Sequence, residues 1–196
     1  MENNFNEKES LKLIHEMIEN SKAGFGKSSF FFLLWGWLVL FASLMHFALL
    51  FTEFKYPFLP WSITMILGGI VAGIKGSRMK KQRKVKTYLD TTVSYLWASF
   101  GITLFIILFS AGMGKISWEM SNILIIALYG FGTFASGGII KFKPLIFGGI
   151  FTWIIAVASL FIPSEYTLLS IAFSVVVAYL IPGYMLKSKE KLNNHV

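Results

Sequence analysis

SSFFFLLWGWLVLFASLMHFALLFT, residues 28–52, runs for 25 positions without an Asp, Glu, Lys or Arg. At 1.5 Å per residue such a stretch crosses the ~30 Å of a bilayer's hydrocarbon as one helix. Five more charge-free runs follow: 56–74, 91–114, 120–140, 144–164 and 166–186. The expected spans are about 30–51, 58–76, 90–113, 120–140, 144–162 and 166–186. The fold class this predicts is all-α: a polytopic membrane protein of six transmembrane helices, arranged as three hairpins. An N-terminal amphipathic helix precedes them on the cytoplasmic side. Residues 1–29 form the head, 30–186 the membrane domain and 187–196 a tail.

Composition agrees. Of 196 residues, 55% are hydrophobic and 20 are Phe, more apolar surface than a soluble domain of this length can hide. The first run is too long for a signal-peptide h-region and lacks an A-x-A site, so it reads as a retained span. There is no cysteine, which excludes disulfides and thiolate metal sites.

Charge sets the orientation. Sixteen of the 18 basic residues fall on one face of a six-span zigzag, and only Lys55 and Lys115 fall on the other. The positive-inside rule then places both termini in the cytoplasm of a bacterial inner membrane. The densest group is Lys75, Arg78, Lys80, Lys81, Arg83, Lys84 and Lys86 in the second loop. Basic clusters beside a span attract anionic lipid head groups, and a cytoplasmic protein partner or a homo-oligomer is the competing use. No nucleic-acid partner is expected, because these residues flank membrane spans. Each outer loop carries one carboxylate, Glu53, Glu119 or Glu165, among interfacial Trp and Tyr.

The odd helices open alike, at 34–37, 96–99 and 148–153, and the even helices end alike, at 73–76, 138–141 and 183–187. A two-helix repeat of this kind keeps its direction across the membrane. The mitochondrial carriers use three such repeats, but their P-x-[DE]-x-x-[KR] motif is missing here.

Helices in lipid associate through small residues that let backbones approach. Gly68, Gly69, Ala72, Gly73 and Gly76 mark helix 2, Gly137 and Gly138 helix 4, and Gly148 and Gly149 helix 5. Helices 2, 4 and 5 are therefore expected at the tight centre, with the Phe- and Ile-rich helices 1 and 3 facing lipid. On that reading Gly73→Leu abolishes folding. If the glycines line a pore instead, it alters transport and leaves the fold.

No Asp, Glu, Lys or Arg lies in a span centre, so a titrating carboxylate at mid-depth is lacking. His46 is the one ionisable group well inside a span. Tyr129, Thr133 and Ser136 share a helical face and could edge a small polar cavity. Thr87 and Asp90 read as a capping box for helix 3. Gly26-Lys27-Ser28 mimics the end of a phosphate loop, but Ser21 occupies the required first glycine. No catalytic constellation, metal site or cofactor is expected.

The head predicts a helix over 7–20, with an apolar stripe of Leu11, Ile14, Met17 and Ile18 and a surface that leans acidic. It either docks on the basic loop or rests on the membrane.

The stretches 129–133, 137–144 and 181–187 resemble those of small six-span bacterial integral membrane proteins that have no characterised activity. The resemblance implies a regulatory or stress-related setting, since such proteins are often encoded beside small winged-helix regulators. The functional expectation is a non-enzymatic scaffold or sensor, acting through head and basic loop on a lipid or protein partner. The alternative is a facilitator for a neutral or weakly charged solute, with a cavity along helices 2, 4 and 5.

Overall fold

The computed structural model describes residues 28–82 and 88–193. The expected helix over 7–20, its docking, and Arg83, Lys84 and Lys86 lie outside the described residues. Six helices are long and apolar enough to cross a membrane, and no strand occurs among the described residues. They are α1 (Ser28–Leu50), α2 (Leu59–Gln82), α3 (Tyr88–Gly112), α4 (Trp118–Ile139), α5 (Lys143–Ala158) and a composite sixth span. The sixth is α6 (Thr167–Val175), a π-helical turn (Val176–Leu180) and α7 (Ile181–Asn193). α2 runs on past its apolar stretch to Gln82, because Lys, Arg, Met and Gln are good helix formers.

Local chemistry explains the ends. Ser117, in an extended conformation, caps α4 by accepting the Met120 N–H at 3.1 Å. At the other end of α4 the Phe142 N–H reaches back to Gly137 O at 2.9 Å, and Lys141 takes φ +52°. Pro144 then starts α5. This short turn folds α5 directly back on α4. α3 ends similarly, with Gly114 at φ +68° and the Lys115 N–H bonded to Ser110 O at 2.9 Å.

Cross-helix contacts fix the directions. The start of α1 meets the end of α7, where the Glu190 carboxylate accepts both the Ser29 N–H (3.1 Å) and its hydroxyl. The far end of α1 meets the starts of α2 and α6, through Trp61 Nε1 to His46 Nδ1 (3.0 Å) and Ser43 Oγ to Leu168 O. Asn122 near the start of α4 donates to Thr167 Oγ1 at 3.1 Å. So α1 runs antiparallel to α2 and to the sixth span, and α4 runs parallel to the sixth. One face gathers Lys75, Lys141, Lys143 and Lys189, and we term it the basic face. The opposite face carries Glu119 and Glu165.

The closest pair is α4 with α5, which belong to different hairpins in the three-hairpin scheme. Glycine makes that approach. A Cβ on Gly130 would stand 2.6 Å from the Trp153 ring, one on Gly137 2.7 Å from Ile146 N, and one on Gly149 2.7 Å from Phe134. Trp153 Nε1 also donates to Ala127 O at 3.0 Å. The sixth span is the most enclosed, with 61% of its apolar window buried, against 11% for α2 and 6% for α3.

Two expectations about packing are therefore corrected. Helix 2 is not at the centre: it packs chiefly on α1, through Gly68, whose Cβ would meet Leu38 at 2.6 Å. Gly69, Gly73 and Gly76 have nothing within 4 Å, and Ala72 is only half-buried. Gly138 likewise faces open space, unlike Gly137, Gly148 and Gly149. Helix 1 does not simply face lipid. It joins α2 to the sixth span, since Gly36 admits Leu180 and Phe32 and Trp35 pack inward, while Trp37, Phe41 and Phe51 stay exposed. A high Phe content marks contact area, which a neighbouring helix takes up as readily as lipid. Helix 3 does stand at the periphery, with Ile102, Phe105 and Phe109 all exposed. Such an outer surface suits hydrocarbon and not water.

Candidate functional site

Because α2 leans on α1 and α3 leans on α4, the two helices leave a gap between them. Behind it lies a groove of about 2070 Å³, walled by α1, α2, α3, α4 and the sixth span. That exceeds the ~300–1,000 Å³ of a typical small-molecule pocket. It extends from Glu119, Glu165 and His46 at one end to Met79, Asp90 and Ile140 at the basic face. Its middle is mostly apolar, lined by residues such as Trp35, Val39, Leu104 and Ile171.

Of the α2 glycines, Gly76 lines this groove, and Gly69 and Gly73 border its opening. Ser62, Met65 and Gly76 line it, and at 100° per residue Gly69 and Gly73 share their helical face. Across the gap stands Gly101 of α3, which also lines the groove and has nothing within 4 Å. Missing side chains on both helices keep the opening wide at mid-height.

α5 contributes no lining residue, so a cavity along helices 2, 4 and 5 is not what forms. Glycine contact seals α5 onto α4, and α1 and α3 supply the walls instead. Of the residues expected at a cavity, His46, Tyr129 and Ser136 line the groove, while Thr133 is fully buried behind it. They do not gather at one point. His46 is at the acidic end, held as an acceptor by Trp61, and Ser136 is near the basic face. Thr133 Oγ1 donates to Tyr129 O within its own helix at 2.8 Å.

Between mid-height and the basic face five rings from four elements touch in sequence. Phe32 meets Trp97 (5.9 Å between centroids) and Tyr179 (5.6 Å). Trp97 meets Phe100 (5.0 Å), Phe100 stacks on Tyr129 (5.9 Å), and Tyr129 meets Tyr179 edge-on (5.5 Å). All five line the groove. Tyr179 escaped the sequence reading because its direction is set by the π turn, which hydropathy does not signal. The cluster holds one hydroxyl with no hydrogen-bond partner, Tyr179 OH, and a second, Ser136 Oγ, lies about 10 Å along α4 from Tyr129 toward the basic face; the two residues are 3% and 2% exposed.

At the basic face Lys75, Arg78 and Lys81 are exposed at the end of α2, next to the groove residues Gly76 and Met79. Lys75 Nζ lies 5.3 Å from the Phe30 ring centre. Lys80 is in the same turn of helix. Among the described residues no group of three His, Cys, Asp or Glu could hold a metal ion. No protein-family model, curated protein or solved structure matches this chain.

Proposed function

We propose that this is a non-enzymatic protein of the bacterial inner membrane, with both termini cytoplasmic, that takes a lipid-like amphiphile sideways from the bilayer into the groove between α2 and α3. The carrying observation is the groove: it runs most of the height of the helices, is mostly apolar, and opens through a glycine-thinned gap on the lipid-facing side. A water-soluble solute gains little from such walls, whereas an alkyl or isoprenoid body removes apolar area from competition with bulk lipid and fills the space. Lys75, Arg78 and Lys81 beside the groove attract anionic head groups to that end. Occupancy widens or narrows the α2–α3 gap, and the end of α2 carries the basic residues Lys75, Arg78, Lys80 and Lys81. Ligand binding is thereby coupled to a surface a protein partner can read, which makes a sensor or scaffold the better description.

The test is retention of lipid by the purified protein. Native mass spectrometry of the full chain should show a bound amphiphile surviving detergent exchange, lost when Gly69→Leu and Gly101→Leu fill the gap. A wild-type protein that carries no amphiphile, under conditions that retain annular lipid on a control protein, refutes the reading.

One observation favours a facilitator: polar residues stand at both ends of the same groove, Glu119 and Glu165 at one and Asp90 at the other. Solute flux in liposomes, blocked by the same two leucines, supports that second use.

A further inference from the structure

The ring-lined wall of the groove carries chemistry that an alkyl chain leaves unused. We infer that it is a binding site for the ring head of an uncharged, carbonyl-bearing amphiphile, of which a quinone with an apolar tail is the type. The inference rests on the groove reading above and names its ligand class.

Three observations converge. Tyr179 OH and Ser136 Oγ are both enclosed, both on groove-lining residues, and both without a partner. In a hydrocarbon setting neither water nor lipid tail supplies one, so each hydroxyl carries the full cost of its lost hydration. The nearby Thr133 hydroxyl gives its proton to Tyr129 O and has none left to donate. Each of the two unpartnered hydroxyls has a proton with no acceptor within hydrogen-bond distance, Ser136 Oγ toward the basic face and Tyr179 OH within the ring cluster. A phospholipid places its ester oxygens near the membrane surface and only methylenes here. A ring carbonyl carried on a long tail reaches this depth.

The surroundings select a flat, neutral head. Phe32, Trp97, Phe100, Tyr129 and Tyr179 offer ring faces and edges to stack on a planar group. No charged side chain is among the five rings: Asp90 is seven residues, about 10 Å, along α3 from Trp97, Glu119 is ten residues, about 15 Å, along α4 from Tyr129, and the nearest charges, Glu190 on Ser29 and Lys75 over Phe30, lie on the basic-face side of Phe32. With no counter-charge at this level an ionised head is disfavoured.

The backbone is built around this wall. The π turn Val176–Leu180 directs Tyr179 into the ring cluster, and such turns inside α-helices recur at functional sites. Its extra width is accommodated by two neighbours without side chains. A Cβ on Gly36 would lie 2.7 Å from Leu180, and one on Gly148 2.9 Å from Val177 O. The tail of the ligand leaves through the gap between Gly69, Gly73 and Gly101.

The experiment titrates the full chain in nanodiscs with a decyl-tailed benzoquinone and follows saturable quenching of tryptophan fluorescence. The matching decyl dimethoxybenzene, which lacks the carbonyls, is displaced against it. Tyr179→Phe and Ser136→Ala are compared; each removes an unpartnered hydroxyl, so thermal stability is held or raised. The expected result is saturable binding by wild type, weakened about tenfold by the double variant and by loss of the carbonyls, as for one lost hydrogen bond. Equal affinity for quinone and dimethoxybenzene, or no change in the double variant, overturns the assignment. Absence of quinone binding while bilayer lipid is still retained overturns it and leaves the groove reading standing. Absence of both overturns the two together.

Discussion

Gly130 and Gly149 meet backbone to backbone. A Cβ on Gly149 would stand 2.8 Å from Gly130 O, and one on Gly130 would stand 3.0 Å from Gly149 O. That contact joins α4 to α5 and gives the bundle its rigid half. Gly69, Gly73 and Gly76 of α2 do the reverse, leaving space that no other helix enters.

The two kinds of glycine therefore respond oppositely to enlargement. Gly149→Leu should destabilise by about 3 kcal/mol or more, beyond ordinary overpacking of 1–3 kcal/mol, because backbone and not a flexible side chain stands in the way. Gly73→Leu has open space and should leave the detergent-solubilised melting temperature within about 2 °C of wild type. It even replaces a poor helix former by a good one. This reverses the expectation, drawn from the GxxxG spacing, that Gly73→Leu abolishes folding. Equal losses of melting temperature in the two variants contradict the packing described.

Glu190 reaches from the end of α7 to the first turn of α1, where it serves as an anion at a helix N-terminus. Glu190→Ala should lower stability by about 1 kcal/mol, the usual cost of losing a helix cap. Glu190→Gln retains an acceptor and should lose only part of this. Chemical denaturation of the three proteins in one detergent measures the order. A Gln variant as unstable as the Ala variant assigns the effect to charge alone.

His46 and Trp61 tie α1 to α2 at the acidic end of the groove, with indole Nε1 donating to His46 Nδ1. This bond leaves Nε2 to carry the imidazole proton when the ring is neutral. A double-mutant cycle with His46→Phe and Trp61→Phe should return a coupling of about 1 kcal/mol. Additive effects show that the two rings act independently.

What the sequence made legible was one-dimensional. Apolar runs between charges set the number and length of the helices, and the glycines marked helices 4 and 5, along with helix 2, as close neighbours. Which glycine faces which helix was not legible. Gly68 and Gly69 are adjacent in the chain, yet one meets Leu38 and the other meets nothing, a difference of one 100° step that depends on where α1 lies. Tyr129 and Ser136 were readable as a polar edge because both sit on α4 at helical spacing. Their counterpart Tyr179 was not, since the π turn breaks the spacing on which such a reading depends. The wall contributed by α1 was hidden for a different reason: Phe32 and Trp35 suit lipid and protein contact equally well.

The groove itself is tested most directly by photolabelling. A diazirine placed mid-chain on a bilayer lipid should, on irradiation of the full chain in liposomes, form adducts inside the groove. Peptide mapping is expected to find them on Met65, Trp97 and Val175, and to lose them in the Gly69→Leu, Gly101→Leu variant while outward-facing Phe105 and Ile66 remain labelled. Labelling confined to Phe105, Ile66 and similar outward residues in both proteins contradicts the account, because no lipid then enters between α2 and α3.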